Sequence, residues 1–268
     1  MTSPQEAAVA ALRGADHVVV TTGAGMSRES GIPTFRDTLT GFWANYSAAD
    51  YATEAAFRRD PARVFGWYLW RRRRALEAVP HAGYDALVAL ERLVPRLDVV
   101  TQNVDGLHRR AGSRRVVELH GSLHRFSCVD ARHPADPALV PAALAEGPCP
   151  PPPCRVCGSP LRPDVVWFGE MLPERATVEA WERAAACDVM LAVGTSGLVH
   201  PAAQLPYIAR DSGATVIEIN PQETELTPIA DIVCRGRAGD VLPALVAALH
   251  ESTGSGQRAT QSGGETGQ

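Results

Sequence analysis

A short β-branched run, His17-Val18-Val19-Val20-Thr21, empties directly into Gly23-Ala24-Gly25. That junction narrows the chain to folds in which a buried parallel strand feeds a tight turn. Glycines at such a place let the backbone turn sharply and bring its amides close to a pyrophosphate, with the positive end of a following helix behind them. The spacing departs from the dinucleotide fingerprint, because Arg28 stands where G-x-G-x-x-G requires its third glycine. By itself the glycine pair fits a plain strand-to-helix turn equally well.

Further apolar runs predict strands over 97–101, 116–119, 189–193, 215–219 and 232–234, with helices over 5–14, 61–79, 81–94, 178–186 and 240–250. Strands alternating with helices indicate a parallel α/β sheet. Two stretches break the alternation. Residues 38–50 are small and aromatic without a clear period, which reads as a loop of the kind that closes over ligands. Between 126 and 165 the chain turns to Pro, Cys and charged residues, cannot build an apolar core of its own and needs a staple. Beyond 251 the Ser, Gly, Thr and Gln composition predicts an unstructured tail, 251–268.

A net charge of −4 over 268 residues argues against direct nucleic-acid binding. No apolar run is long enough to span a bilayer and no basic leader precedes one, so a cytoplasmic protein without membrane contact is expected. In that compartment six cysteines point to metal rather than to disulfides. Cys154-Arg155-Val156-Cys157 has the two-residue spacing that lets both thiolates reach one tetrahedral ion. Cys187 and Cys234, in apolar surroundings, read as small hydrophobes.

The whole phrase from Gly23 to Asp37, GAGMSRESGIPTFRD, resembles the signature of the sirtuins, the NAD-dependent protein lysine deacylases. Four more family-like phrases follow in the family's order: Thr101-Gln102-Asn103-Val104-Asp105-Gly106-Leu107-His108, His120-Gly121-Ser122, Val165-Val166-Trp167-Phe168-Gly169-Glu170 and Gly194-Thr195-Ser196, with Ile219-Asn220-Pro221 close behind. Together they span nearly all of the chain from Thr21 to Leu249. The resemblance implies a Rossmann-like NAD domain from 1–43, 96–123 and 168–250. A smaller discontinuous domain would be made of a helical insertion, 44–95, and a zinc-ribbon-like cysteine module, 124–167.

It also implies roles. Gly23, Ala24, Gly25, Ser27, Phe35 and Arg36 would hold the pyrophosphate and nicotinamide-ribose region of NAD, Gln102, Asn103 and Asp105 would line the ribose and nicotinamide pocket, and Gly194, Thr195 and Ser196 would contact phosphate or ribose. Asn220, Pro221 and Ala238 would meet the adenosine half. A lone histidine behind a strand is more often structural. The resemblance nevertheless makes His120 the catalytic base, acting on a ribose hydroxyl after the acyl oxygen has displaced nicotinamide; the other histidines are structural or surface residues by default. Products would be free lysine, nicotinamide and acylated ADP-ribose.

The family usually carries two cysteine pairs, and here the first is broken, because Ala131 stands three residues after Cys128. A closed zinc set with Cys154 and Cys157 then needs Cys128 and, as the nearest spare thiolate, Cys149, with Asp130 and His133 as lesser candidates; a module without metal is the competing reading. Tyr68 and Arg71, at i and i+3, share a helix face. Read blindly they are a core aromatic and a solvated arginine. They match, however, the pair that in one sirtuin subclass binds the carboxylate of succinyl, malonyl and glutaryl lysine, a task suited to a guanidinium fork and a phenol. Relatives with this pair also remove acetyl groups. Val166, Trp167 and Phe168 would line the acyl-lysine channel, beside backbone that pairs with extended, acylated peptide segments. Two further readings share the motifs: mono-ADP-ribosyl transfer to protein, and a catalytically silent NAD or acyl-protein binding module.

Overall fold

In the computed structural model, which describes residues 2–32, 48–140 and 147–259, the β-branched runs assemble into a parallel six-stranded sheet. Its strands are β1 (His17–Thr22), β2 (Arg96–Thr101), β3 (Val116–Glu118), β6 (Val189–Val193), β7 (Thr215–Asn220) and β8 (Ile232–Arg235); β4 (Gly121–Cys128) and β5 (Leu161–Val165) form a separate antiparallel pair. The order β3-β2-β1-β6-β7-β8 reverses direction between β1 and β6. Open sheets of this kind bind ligands outside the carboxyl ends of their strands at that reversal. Every residue of β1 and β6 is buried, as expected of central strands covered on both faces.

The helices are α1 (Pro4–Arg13), α2 (Ala48–Tyr51), α3 (Glu54–Arg59), α4 (Pro61–Glu77), α5 (Ala82–Leu90), α6 (Leu107–Ala111), α7 (Glu174–Ala186), α8 (Leu205–Asp211) and α9 (Ala238–Ala259). One face of the sheet packs on α1, α5 and α9, the other on α7 and α8. Local chemistry sets the helix starts. Ser3 and Glu6 form a reciprocal capping box in front of Pro4. Asp60 accepts from the Arg63 N–H with Pro61 in the first turn, where its missing N–H costs nothing. The last helix is longer than its pattern predicts: it continues past His250 to Ala259, into the stretch expected to be unstructured. Most of the expected 38–50 loop lies outside the described residues. No described helix is long and apolar enough to cross a membrane.

A second core lies apart from the sheet. Phe57, Phe65, Tyr68 and Leu69 from α3 and α4 pack with Phe126, Leu161 and Trp167 from the β4–β5 region. The Pro- and Cys-rich stretch thus borrows its apolar partners from the helical insertion, and Gly66 of α4 makes room for it, since a Cβ there would lie 2.2 Å from the Gly147 carbonyl oxygen.

Candidate active site and cysteine knuckle

The loops after β1, β2, β6 and β7 meet at the sheet reversal. A Cβ on Gly25 would sit 2.7 Å from the Gly194 carbonyl oxygen, and one on Gly194, itself left-handed at φ 58°, would sit 2.4 Å from the Met26 nitrogen. The glycines therefore let two loops touch. The expectation that their amides face a pyrophosphate needs correction, because the Gly23 N–H donates to Val193 O (3.2 Å) and the Gly25 N–H to Gly194 O (2.8 Å). Ala24 is the exposed member of the trio.

Ser27, buried, is the hub of this end. Its hydroxyl donates to Asp105 Oδ2 (2.7 Å) and accepts from Asn103 Nδ2 (3.0 Å), so the Tyr84 hydroxyl, 2.9 Å away, is the donor in their bond. Asn103 Nδ2 also donates to Gly23 O (2.9 Å), which leaves its Oδ1 without a protein partner among the described residues. That carbonyl suits the amide of a carboxamide. Burial pushes the Asp105 carboxyl up, while the Leu107 N–H and the Ser27 hydroxyl pull it back. Gln102 Nε2 donates to Thr195 Oγ1 (3.2 Å) and Asn220 Nδ2 to Thr195 O (3.0 Å), knitting the β2, β6 and β7 loops together. Ser196 lies beside them with its Oγ accepting from the Leu198 N–H, Pro221 is exposed, and Ala238 opens α9 as a buried residue whose neighbour Gly239 donates to Glu29. Phe35 and Arg36 lie outside the described residues. Tyr84, absent from the sequence-derived set, offers no local signal, being a single aromatic on the buried face of α5.

His120 follows β3 at the mouth of this crevice. Its Nδ1 lies 3.0 Å from Gln102 O. A carbonyl only accepts, so Nδ1 carries the proton and Nε2 keeps its lone pair. Burial holds the imidazole below its ordinary pKa, the Gln102 bond opposing, which keeps it neutral near pH 7 with the Nε2 lone pair open to a proton. Two other histidines behave as structural. His124 donates from Nε2 to Asp105 O (2.8 Å). His108, fully buried, bonds Thr22 Oγ1 (3.0 Å), and burial drives it down to about 3.

Tyr68 and Arg71 come together on α4 at the second core. The Arg71 guanidinium carbon lies 4.9 Å from the Trp67 ring centroid and 5.5 Å from that of Tyr68. Arg71 is half-buried, and no carboxylate of the described residues lies within 4.0 Å of it. Burial pushes the Tyr68 phenol up to about 12, with Arg71 pulling the other way, so it stays a neutral donor. Trp167 is buried against Tyr68 and Phe57 and stacks on Arg162 at 3.3 Å, whereas Phe168 is 55% exposed. Val166 donates its N–H to the backbone His120 O (2.9 Å), joining this wall to the main chain that carries the imidazole. A buried ion pair holds the wall: Arg162, wholly inaccessible, bonds Glu170 at 2.5 and 2.9 Å, and Glu170 also accepts from the Trp167 N–H (2.8 Å) and from Arg132 (2.6 Å). Glu170 stays below the usual carboxylate range because these donors outweigh its burial.

Cys128, Cys154 and Cys157 converge, and the fourth donor beside them is His133; the four ligand atoms lie within 4.8 Å of one another. Cys149 does not join them, which corrects the expected set. Its N–H is anchored on Ala62 O (2.8 Å) and its thiol faces Pro150 O (3.7 Å), so backbone pairing with α4 carries it away from the cluster. Donor N–H groups of Cys157 and Val156 pull the Cys154 thiol down to about 6. Thiolates plus one imidazole at this spacing fit a structural zinc.

The sequence pattern described as the Sir2 family matches residues 23–201. The chain is 50% identical over 246 residues to an NAD-dependent protein deacylase of Methylococcus capsulatus, covering 91% of this chain and 96% of the relative. It is 52% identical over 230 residues to NAD-dependent protein deacylase 2 of Pyrobaculum aerophilum, covering 86% and 90%. Among solved structures it resembles a Sir2 homologue in complex with NAD (TM-score 0.85, 44% identity, 92% and 94% covered). It also resembles Sir2Af2 bound to a myristoylated histone peptide (TM-score 0.72, 34% identity, 94% and 98% covered).

Proposed function

The chain belongs to the Sir2 family, and on that footing we propose that it is an NAD-dependent protein lysine deacylase selective for acyl groups that end in a carboxylate. NAD, the co-substrate, supplies the nicotinamide that leaves and the ribose that finally carries the acyl group. The chain's own residues do the rest. Asn103 Oδ1 orients the carboxamide, the Ser27 hub keeps Asn103 and Asp105 in place, and His120 Nε2 takes the proton of a ribose hydroxyl. The Trp167 wall keeps water from the acyl-lysine, whose peptide lies extended beside it.

The selectivity rests on a single observation: Arg71 is a half-buried cation beside a neutral phenol, attracted by Asp105 from a distance but with no carboxylate of the described residues within 4.0 Å of it. A guanidinium so placed gains most from a substrate that brings the carboxylate, since charge-assisted bonds contribute about 1.5–3 kcal/mol. The test compares kcat/KM on one peptide bearing succinyl-lysine or acetyl-lysine, for wild type and Arg71→Met. The expected result is a succinyl preference of about 10- to 100-fold that vanishes in the variant while acetyl turnover persists. Equal rates on both peptides in the wild type would make this a general deacetylase.

A further inference from the structure

The two arms of the cysteine module are one turn used twice. In the second arm the Cys154 N–H donates to Ser159 O (2.8 Å), the Gly158 N–H donates to Cys154 O (2.9 Å), and Gly158 is left-handed at φ 74°. In the first arm the Cys128 N–H donates to His133 O (3.0 Å), the Arg132 N–H donates to Cys128 O (3.2 Å), and Arg132 is left-handed at φ 54°. Matching these bonds pairs Cys128 with Cys154, Arg132 with Gly158 and His133 with Ser159. Ala131 then falls where the second arm carries Cys157. The first arm has kept the turn and lost its second thiol.

Its replacement stands two residues further on. The His133 N–H donates to Cys128 Sγ (3.2 Å), as the Val156 N–H does to Cys154 Sγ (3.4 Å). His133 Nδ1 lies 3.6 Å from Cys128 Sγ and 3.9 Å from Cys154 Sγ, and Cys157 Sγ lies 3.6 Å from Cys128 Sγ, all four atoms being within 4.8 Å of one another. Sulfur at about 2.3 Å and nitrogen at about 2.0 Å from one tetrahedral ion stand roughly 3.5–3.8 Å apart, so two of these separations match the edges of such a polyhedron and the third exceeds them slightly. An imidazole reaches farther from its Cα than a thiol does, which lets a ligand displaced along the turn still close the fourth corner. Arg132, the only non-glycine with positive φ among the described residues, is secured by its bond to Glu170.

We propose that this chain holds one structural zinc ion through the Sγ atoms of Cys128, Cys154 and Cys157 and the Nδ1 of His133, a set in which Cys149 takes no part. The competing account of the same contacts is a metal-free thiol–imidazole hydrogen-bond cluster. Zinc K-edge X-ray absorption on the full chain, with zinc quantified per chain and competed against a chelator, separates the two. The wild type is expected to retain one zinc with three sulfurs at about 2.3 Å and one nitrogen at about 2.0–2.1 Å. Cys149→Ser should leave shell and affinity unchanged, His133→Ala should lose at least about ten-fold in affinity, and His133→Cys should retain zinc in an all-sulfur shell. A four-sulfur shell in the wild type, loss of a sulfur in Cys149→Ser, an unaltered shell in His133→Ala, or no zinc retained after loading would each overturn the assignment. The wild-type shell decides the matter even if His133→Ala does not fold.

Discussion

The nucleotide end and the acyl end of the site are prepared in opposite ways. At the nucleotide end polar groups are already bonded to one another: Ser27 holds Asp105, Asn103 and Tyr84, and Thr195 holds Gln102 and Asn220. Little needs to reorganise when a ligand arrives, so recognition there is a matter of geometry set in advance. At the acyl end the walls are fixed by the Arg162–Glu170 pair and the Trp167 stack, yet Arg71 itself makes no direct ion pair among the described residues and feels Asp105 only from a distance. Recognition there waits for a charge that the substrate carries. Damage at the first end should therefore fall on every substrate alike, and damage at the second only on acidic ones.

The strongest blow to that contrast is at the residue between the two ends. His120→Ala should lower kcat/KM about 10²- to 10⁴-fold on succinyl and acetyl peptides equally, with NAD affinity nearly unchanged by calorimetry. In the wild type the acid limb of the pH–rate profile should fall below the ordinary imidazole range, because burial depresses His120 and only its neutral form accepts a proton. Next comes the hub. Ser27→Ala leaves the buried Asp105, Asn103 and Tyr84 short of a partner each, and at about 1–3 kcal/mol per orphaned group should remove about 3 kcal/mol in urea unfolding while raising the NAD KM for both peptides. A KM effect confined to the succinyl peptide would show that the two ends are one site energetically. Arg71→Met, smaller in stability, should discriminate between substrates where Ser27→Ala does not.

The mildest test touches neither end directly. The unfolded chain protonates His108 near 6.5, but the folded chain refuses that proton down to about 3. Stability is therefore lost as pH falls through that window and is untouched above it, by about 1.4 kcal/mol per pH unit. Unfolding at pH 7.5 and 5.5 should show this slope in the wild type and a shallower one in His108→Gln; identical slopes would remove His108 from the account.

Much of this molecule is legible in one dimension. The β-branched runs, Pro61 behind Asp60 and the glycines at strand ends specify strands, helix starts and loops, because steric and capping effects act over a few residues. The phrases around Asn103, His120 and Gly194 likewise announce the family and the crevice, since they lie at the carboxyl ends of strands. What the linear order leaves open is which distant groups meet. Ser27 and Asp105 are 78 residues apart, and only the approach of two loops at the sheet reversal makes them partners. Arg71 reads as solvated surface until α4 is packed against the β4–β5 core. The fourth metal donor shows the limit most plainly: Cys149 is the better ligand by chemistry, but pairing with Ala62 takes it elsewhere, while a left-handed Arg132 turns His133 onto Cys128. Thiol and imidazole are both competent donors. Distance chooses between them, and distance is a property of the folded backbone.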